Sequence, residues 1–311
     1  MRAFIFPGQG SQSVGMGKAL SEASATARAL FEEVDDALGQ SLARLMAEGP
    51  QDELTLTENA QPAIMANALA TLRVLEREGG LNLSDKAAFV AGHSLGEYSA
   101  LAAAEALDVA TTARLLKLRG QAMQAAVPVG EGAMAALLGI DLATAEAVAA
   151  EAAQGEICAV ANDNDPGQIV ISGHRQAVER GLEIAKAKGA KRALLLPVSA
   201  PFHSPLMEPA AKRMEAALAA AALRPPSVPL YANISASPVG DPAEIRRLLV
   251  DQVTGMVRWR ESVAAMAEAG VTHFVEFGGK VLASMVRRIV PDAQATSVVS
   301  MADIEALAKE I

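Results

Sequence analysis

"KAAFVAGHSLGEYSALAAAEAL", residues 86–107, carries the reading of the fold. Residues 86–91 form a short apolar run that reads as a buried strand, and from Leu95 the apolar spacing becomes helical. Between them lies Gly92-His93-Ser94-Leu95-Gly96, the G-x-S-x-G pattern of a sharp strand-to-helix turn with serine at its apex. The residue types have physical reasons. The serine sits in a strained backbone, and a glycine two residues to either side lets strand and helix pass without a clash. At a helix N-terminus, free N–H groups and the helix dipole favour a developing oxyanion. Ser94 is therefore a candidate nucleophile. The competing reading is a capping serine flanked by glycines that serve packing alone.

Outward from this turn the chain alternates strands and helices. Residues 2–6 read as a buried strand closed by "PGQG", and residues 27–38 and 59–78 as helices, with Pro62 in the first turn of the second. The middle of the chain differs. Strands are expected at 132–140, 156–163, 167–173 and 190–199, with helices at 141–153 and 174–189. Strand, helix, strand, strand, helix, strand is the split pattern of a ferredoxin-like unit. Strands follow at 228–234, 271–278 and 295–300, interleaved with helices. The expectation is α/β: a discontinuous large domain of residues 1–127 and 200–311, interrupted by a small α+β subdomain of residues 128–199.

Composition narrows the function. A chain of 311 residues that is 51% hydrophobic can bury a large core, and 3% aromatic content makes that core aliphatic. Cys158, the one cysteine, excludes an intrachain disulfide, agrees with a reducing cytoplasm and reads as a buried structural thiol. The N-terminal apolar run is too short for a signal-peptide core, and no run reaches the roughly 18 residues of a membrane span. A cytoplasmic protein is expected. A net charge of -9 without a basic block argues against nucleic acid. "PGQGSQSVG" has Ser13 where a dinucleotide fingerprint needs glycine, and no Walker A, H-E-x-x-H or paired-cysteine motif occurs. The chemistry should need no metal, ATP or redox cofactor.

A serine nucleophile needs a base, and the chain has four histidines. His93 adjoins Ser94 on a tight turn and should point away from its hydroxyl. His174 opens a helix, where capping or exposure is expected, and His273 lies inside a strand. His203, in "PVSAPFHSPLM", occupies a proline-rich loop after an expected strand, where catalytic groups concentrate; it is the favoured base, a satisfied loop histidine the alternative. The loop after the first strand could place the Gln9 backbone N–H in the oxyanion site.

"FPGQGSQ", "GHSLGEYSA", "LRGQAMQAAVPVGEGAMAALLG", "NDNDPGQIVISG", "KRALLLPVSAPFHS" and "VRWRESV" together resemble the malonyl-CoA:acyl carrier protein transacylases of bacterial fatty acid synthesis, over nearly the whole chain and in the family's order. The resemblance implies a hydrolase-like α/β core with an inserted ferredoxin-like subdomain. It also implies a role for each matching residue. Ser94 accepts the acyl group and His203 is the general base. Gln9 and Leu95 supply oxyanion-hole N–H groups. Arg119 grips the malonyl carboxylate. The Gln252 backbone carbonyl orients the histidine in place of a hydrolase aspartate. Asn162 is a possible substrate contact. Three departures concern the pocket rim: Phe277-Gly278-Gly279-Lys280 where Gly-Pro-Gly often precedes the lysine, Asp165 where a small polar residue is common, and "TGMVRW" without a proline.

The implied reaction is ping-pong: malonyl-CoA loads Ser94, CoA leaves, and the phosphopantetheine thiol of acyl carrier protein takes the malonyl group. A monomer is expected. The alternatives are a serine hydrolase or thioesterase with the same Ser-His pair, a polyketide-pathway acyltransferase, and a non-enzymatic scaffold. Phe202, beside His203, is expected to select acyl size by filling the space of an α-methyl group. Lys186, Lys188, Lys191 and Arg192, with Lys280, Arg287 and Arg288, are the candidate docking patch for an acidic carrier protein.

Overall fold

The computed structural model describes residues 1–198 and 200–311. Among them ten strands form two sheets: β1 (Arg2–Phe6), β2 (Phe89–Gly92), β3 (Gly132–Leu138), β4 (Cys158–Asp165), β5 (Gln168–His174), β6 (Arg192–Leu195), β7 (Leu230–Ala232), β8 (Ser237–Val239), β9 (His273–Phe277) and β10 (Gln294–Val298). The first sheet has the order β10-β9-β1-β2-β7-β8; all neighbours pair in parallel except β8, which runs antiparallel at the edge. Parallel strands covered on both faces need continuous apolar runs. β1 supplies one, with Ala3, Phe4, Ile5 and Phe6 fully buried. β8 has no such pattern; Pro238 cannot donate to a ladder and is tolerated only at an edge, which is why the sequence does not announce this strand.

The second sheet, β4-β5-β3-β6, is antiparallel throughout, with the helices Leu142–Ala153 and Arg175–Ala187 packed on it. Its order is that of the ferredoxin-like unit, and it lies wholly between Gly132 and Leu195. Ser199, the expected last residue of the insertion, lies outside the described residues. The segment 162–167, whose composition predicts a turn between the two strands, mostly continues β4 to Asp165, and the chain reverses at Pro166-Gly167, with Gly167 at φ 90°. Two register shifts in β4 pass over Ala161 and Asn164, and between them Asn162 bridges Val257 of the large domain, the Asp163 N–H donating to the Val257 oxygen and the Val257 N–H to the Ala161 oxygen. Asp163 then pairs with Arg260 and Asp165 with Arg288, at 2.7 and 2.6 Å. The departure at Asp165 thus pins the two sheets' domains together.

Three helices position the site. Thr57–Glu78 is buried on nearly every side, and Gly96–Ala103 is buried at all its residues. Val109–Ala125 packs on the first, and Gly120 permits the contact: a Cβ there would stand 2.5 Å from the Glu58 Cα. Pro62 falls in the second turn of Thr57–Glu78, not the first as expected, because the helix begins at Thr57. The helix expected from Leu95 to Leu107 stops at Ala103, and Glu105 takes a left-handed φ of 60°. No helix among the described residues is long and apolar enough to cross a membrane.

Candidate active site

The turn after β2 is as tight as its glycines imply. A Cβ on Gly92 would lie 1.9 Å from the Gly96 carbonyl, and one on Gly96 would lie 2.2 Å from the Phe6 oxygen. Ser94 itself takes φ 52°, a left-handed conformation that costs a non-glycine residue about 1–2 kcal/mol. His203 is held at φ 54°. Strain at both members of one pair points to a site held in place by its surroundings.

Ser94 Oγ lies 2.7 Å from His203 Nε2, and His203 Nδ1 lies 2.8 Å from the Gln252 backbone oxygen. A carbonyl can only accept, so Nδ1 carries the proton and Nε2 is free to accept from the Ser94 hydroxyl. Burial, assisted by the Arg119 cation, depresses the His203 pKa to about 3. The imidazole is therefore neutral, the form a base requires. Among the described residues no carboxylate serves as third member; the Gln252 carbonyl dipole takes that place.

Arg119 lies on Val109–Ala125 and is only 1% exposed. Its Nη2 donates to Ser94 Oγ at 3.1 Å and to Gln252 Oε1 at 2.7 Å, and Nη1 donates to Gln61 Oε1 at 2.9 Å. The guanidinium carbon stands 5.7 Å from the Tyr98 ring centroid. Burial pulls its pKa down, yet arginine's ordinary value is high enough that the group remains charged. Among the described residues no carboxylate forms an ion pair with it.

The remaining expected residues are placed as follows. Leu95 caps Gly96–Ala103, and no described residue accepts from its N–H or from that of Gln9. Gln9 follows Gly8, where a Cβ would stand 2.8 Å from the His93 oxygen, so its loop lies against the serine turn. Phe202 is buried in the main core beside His203. Asn162 is buried in β4, but the β4 side chain that reaches the serine turn is Asn164, whose Oδ1 lies 2.8 Å from His93 Nε2. His174 stands at the N-cap of its helix without a side-chain cap bond; its Nδ1 instead accepts from the Ile157 N–H at 2.9 Å. His273 is buried and bonds Thr296. Cys158 is half-buried, where full burial was expected, and burial pushes its thiol up to about 11.

Gln61, Glu97, Asn233 and Asn164 escaped the sequence reading. Their signal is faint: Gln61, Glu97 and Asn233 are single polar residues in largely apolar segments, and Asn164 is one of four consecutive polar residues. Asn233 Oδ1 accepts the Ser94 N–H and its Nδ2 donates to the Gly92 oxygen, both at 2.7 Å, so one amide brackets the turn. Gln252 Nε2 donates to the Ser94 oxygen at 3.0 Å. The Gly278-Gly279 departure is also packed: Gly278, at φ 74°, abuts the Ala68 backbone, and Gly279 abuts Pro7. Together these groups can deprotonate a serine hydroxyl beside a buried cation, in a turn with unused N–H donors.

Residues 3–301 match the model of the acyl transferase domain family. The chain is 46% identical over 289 residues to a Bacillus subtilis (strain 168) protein named malonyl CoA-acyl carrier protein transacylase, covering 92% of this chain and 90% of that one. A crystal structure of the acyl-carrier-protein-S-malonyltransferase from Bartonella henselae superposes with a TM-score of 0.97 at 54% identity, over 99% of this chain and 98% of that one. A solved complex of a type II PKS acyl-carrier protein with its malonyl-transacylase gives a TM-score of 0.96 at 40% identity, over 100% and 99% of the two chains.

Proposed function

The chain belongs to the acyl transferase domain family, and from that premise we propose that it moves the malonyl group from malonyl-CoA to the phosphopantetheine thiol of acyl carrier protein, in the cytoplasm, supplying fatty acid synthesis. Ser94 is the nucleophile. His203 Nε2 takes its proton as Oγ attacks the thioester carbonyl, and the Gln9 and Leu95 N–H groups receive the oxyanion. The intermediate collapses, the CoA thiolate takes the proton from the imidazolium, and the malonyl-serine ester remains. The carrier thiol reverses these steps: His203 accepts its proton and returns it to Ser94. A thioester is consumed and a thioester is formed, so no energy-coupling or redox cofactor enters the scheme.

The observation that carries this reading is Arg119: a fully buried guanidinium with amide and hydroxyl partners, no ion pair among the described residues, and 3.1 Å from the nucleophile. A buried charge is costly unless an opposite charge meets it. Glu97 acts on Arg119 only across Gln252, and the free carboxylate of a malonyl group supplies a direct partner, whereas a hydrolase of neutral acyl chains has no use for the cation. Intact-mass measurement after mixing with malonyl-CoA tests the reading. The expected result is a malonyl adduct that passes to carrier protein faster than free malonate appears. Malonate release outpacing transfer would favour the hydrolase.

Phe202 selects acyl size in this reading. Phe202→Ser is expected to raise methylmalonyl loading relative to malonyl by about tenfold, since one methyl in a tight pocket is worth about 1–3 kcal/mol. An unchanged ratio in the mass assay removes the ring as the gate.

Carrier docking falls to fewer residues than the sequence offered. Lys186 and Lys188 are paired with Glu183 and Glu151, and Arg288 with Asp165. Lys191, Arg192, Lys280 and Arg287 are exposed and form no ion pair among the described residues, and Lys191 and Arg192 are adjacent in the chain. Reversing both to glutamate should raise the KM for carrier protein several-fold and leave Ser94 loading unchanged, because rim charges act on encounter. Equal damage to both half-reactions overturns this assignment.

A further inference from the structure

Glu97 touches no reacting group in this scheme, yet its carboxyl is buried, 2% exposed, on the otherwise uncharged helix Gly96–Ala103. Placing a carboxylate there is costly unless its oxygens are well bonded. Both are. Oε1 accepts the Asn233 backbone N–H at 2.9 Å, and Oε2 accepts from Gln252 Nε2 in a close contact. These two partners hold the rest of the site. The Asn233 side chain brackets the serine turn through the Ser94 N–H and the Gly92 oxygen. Gln252 reaches three groups at once: its backbone oxygen meets His203 Nδ1, its Nε2 the Ser94 oxygen, and its Oε1 Arg119 Nη2. Glu97 is the point at which both arms meet.

We infer that the Glu97 carboxylate is the positioning residue of the acyl-transfer site, holding Asn233 and Gln252 in the orientation that aligns Ser94, His203 and Arg119. The role rests on the transfer reading above. The donor pattern makes it specific to the ionised form. Asn233 presents a fixed backbone N–H and Gln252 its amide NH2, so a carboxylate accepts strongly from both, while a carboxylic acid keeps one strong acceptor oxygen and carries a proton that neither donor can receive. The Gln252 amide can accept only by flipping. A flip turns its NH2 toward the Arg119 guanidinium, a donor facing a donor, and releases the Ser94 oxygen.

Burial raises the Glu97 pKa to about 7, with the Asn233 and Gln252 hydrogen bonds and the Arg119 charge opposing it. Arg119, from Val109–Ala125, is the cation acting on it, and Tyr98, on its own helix, is a titratable neighbour. His203 and His93 belong to the same site, both with depressed pKa values; the residues that face Glu97 after β7 and from Pro242–Thr254 are the neutral amides Asn233 and Gln252. His203, at about 3, adds no acid limb near neutrality. An unfolded Glu97 carboxyl ionises near 4.5, so in the folded chain the proton is held more tightly and this group's share of stability grows as pH falls through 7. A loss of activity there is a loss of alignment, not of this group's support for the fold.

The test is the rate of malonyl-adduct formation from pH 5 to 9, by rapid-quench mass spectrometry, with thermal melts alongside. Wild type should lose loading as pH falls through about 7. Glu97→Gln should load about 10²-fold more slowly at pH 8, the scale of a misaligned site, and lose that acid limb. Glu97→Asp keeps a carboxylate and should keep the limb at a reduced rate. A wild type that loads without a limb near pH 7, or a folded Glu97→Gln that retains the limb or loads at the wild-type rate, would falsify the role of Glu97 alone. The wild-type profile decides the matter even if a variant does not fold. A wild type that forms no malonyl adduct at any pH overturns the transfer reading and this role together.

Discussion

Ser94→Ala is expected to leave no malonyl adduct after exposure to malonyl-CoA and to lower transfer to carrier protein by about 10⁶-fold, the scale on which removal of a nucleophile from a serine–histidine unit is felt. The substitution should spare the fold. Alanine meets the same left-handed backbone penalty that serine already bears at φ 52°. The Asn233 contact to the turn is made by the residue 94 N–H, which alanine retains. Arg119 Nη2 keeps Gln252 Oε1 when the hydroxyl is gone. A melting curve near wild type with no adduct identifies Ser94 as the acyl acceptor. A malonyl adduct persisting on a well-folded Ser94→Ala protein transfers that role elsewhere and dissolves the mechanism.

Arg119→Ala is expected to cut malonyl loading by roughly 30-fold to several thousand-fold, corresponding to the about 2–5 kcal/mol lost when one partner of a buried charged pair is truncated. Acetyl loading should hold or rise. The asymmetry follows from the site: malonyl differs from acetyl by one carboxylate, which leaves water only if a cation and hydrogen bonds replace its hydration. Arginine's planar fork can donate two parallel bonds to that group. The variant also frees Gln61 Oε1 and Gln252 Oε1 from their donors, so some loss of thermal stability accompanies it. Competitive loading from mixed malonyl- and acetyl-CoA measures the effect. If both substrates fall together in a folded variant, Arg119 is not the carboxylate receptor.

What the sequence determined by itself was local. Gly92, Ser94 and Gly96 announce the turn because backbone sterics act within a few residues, and the alternation of short apolar strands with amphipathic helices marks both sheets for the same reason. The proline-rich loop after an expected strand favoured His203, and family resemblance extended the reading to Arg119 and Gln252 by matching positions, without saying why those positions meet. Tertiary structure alone decided the meeting. Gln61 lies in Thr57–Glu78, Asn233 after β7, Gln252 in Pro242–Thr254 and Glu97 one helical turn past the nucleophile; none has a periodicity that marks it. Their importance comes from burial, which obliges each polar atom to find a partner across the fold. The same holds for β8, an edge strand without an apolar pattern, and for Asp165, whose carboxylate has meaning only opposite Arg288. Hydrophobic period and turn chemistry are properties of neighbouring residues and can be read along a chain. A buried hydrogen-bond network joins residues more than a hundred positions apart, such as Ser94 and His203, and exists only once packing has excluded water from between them.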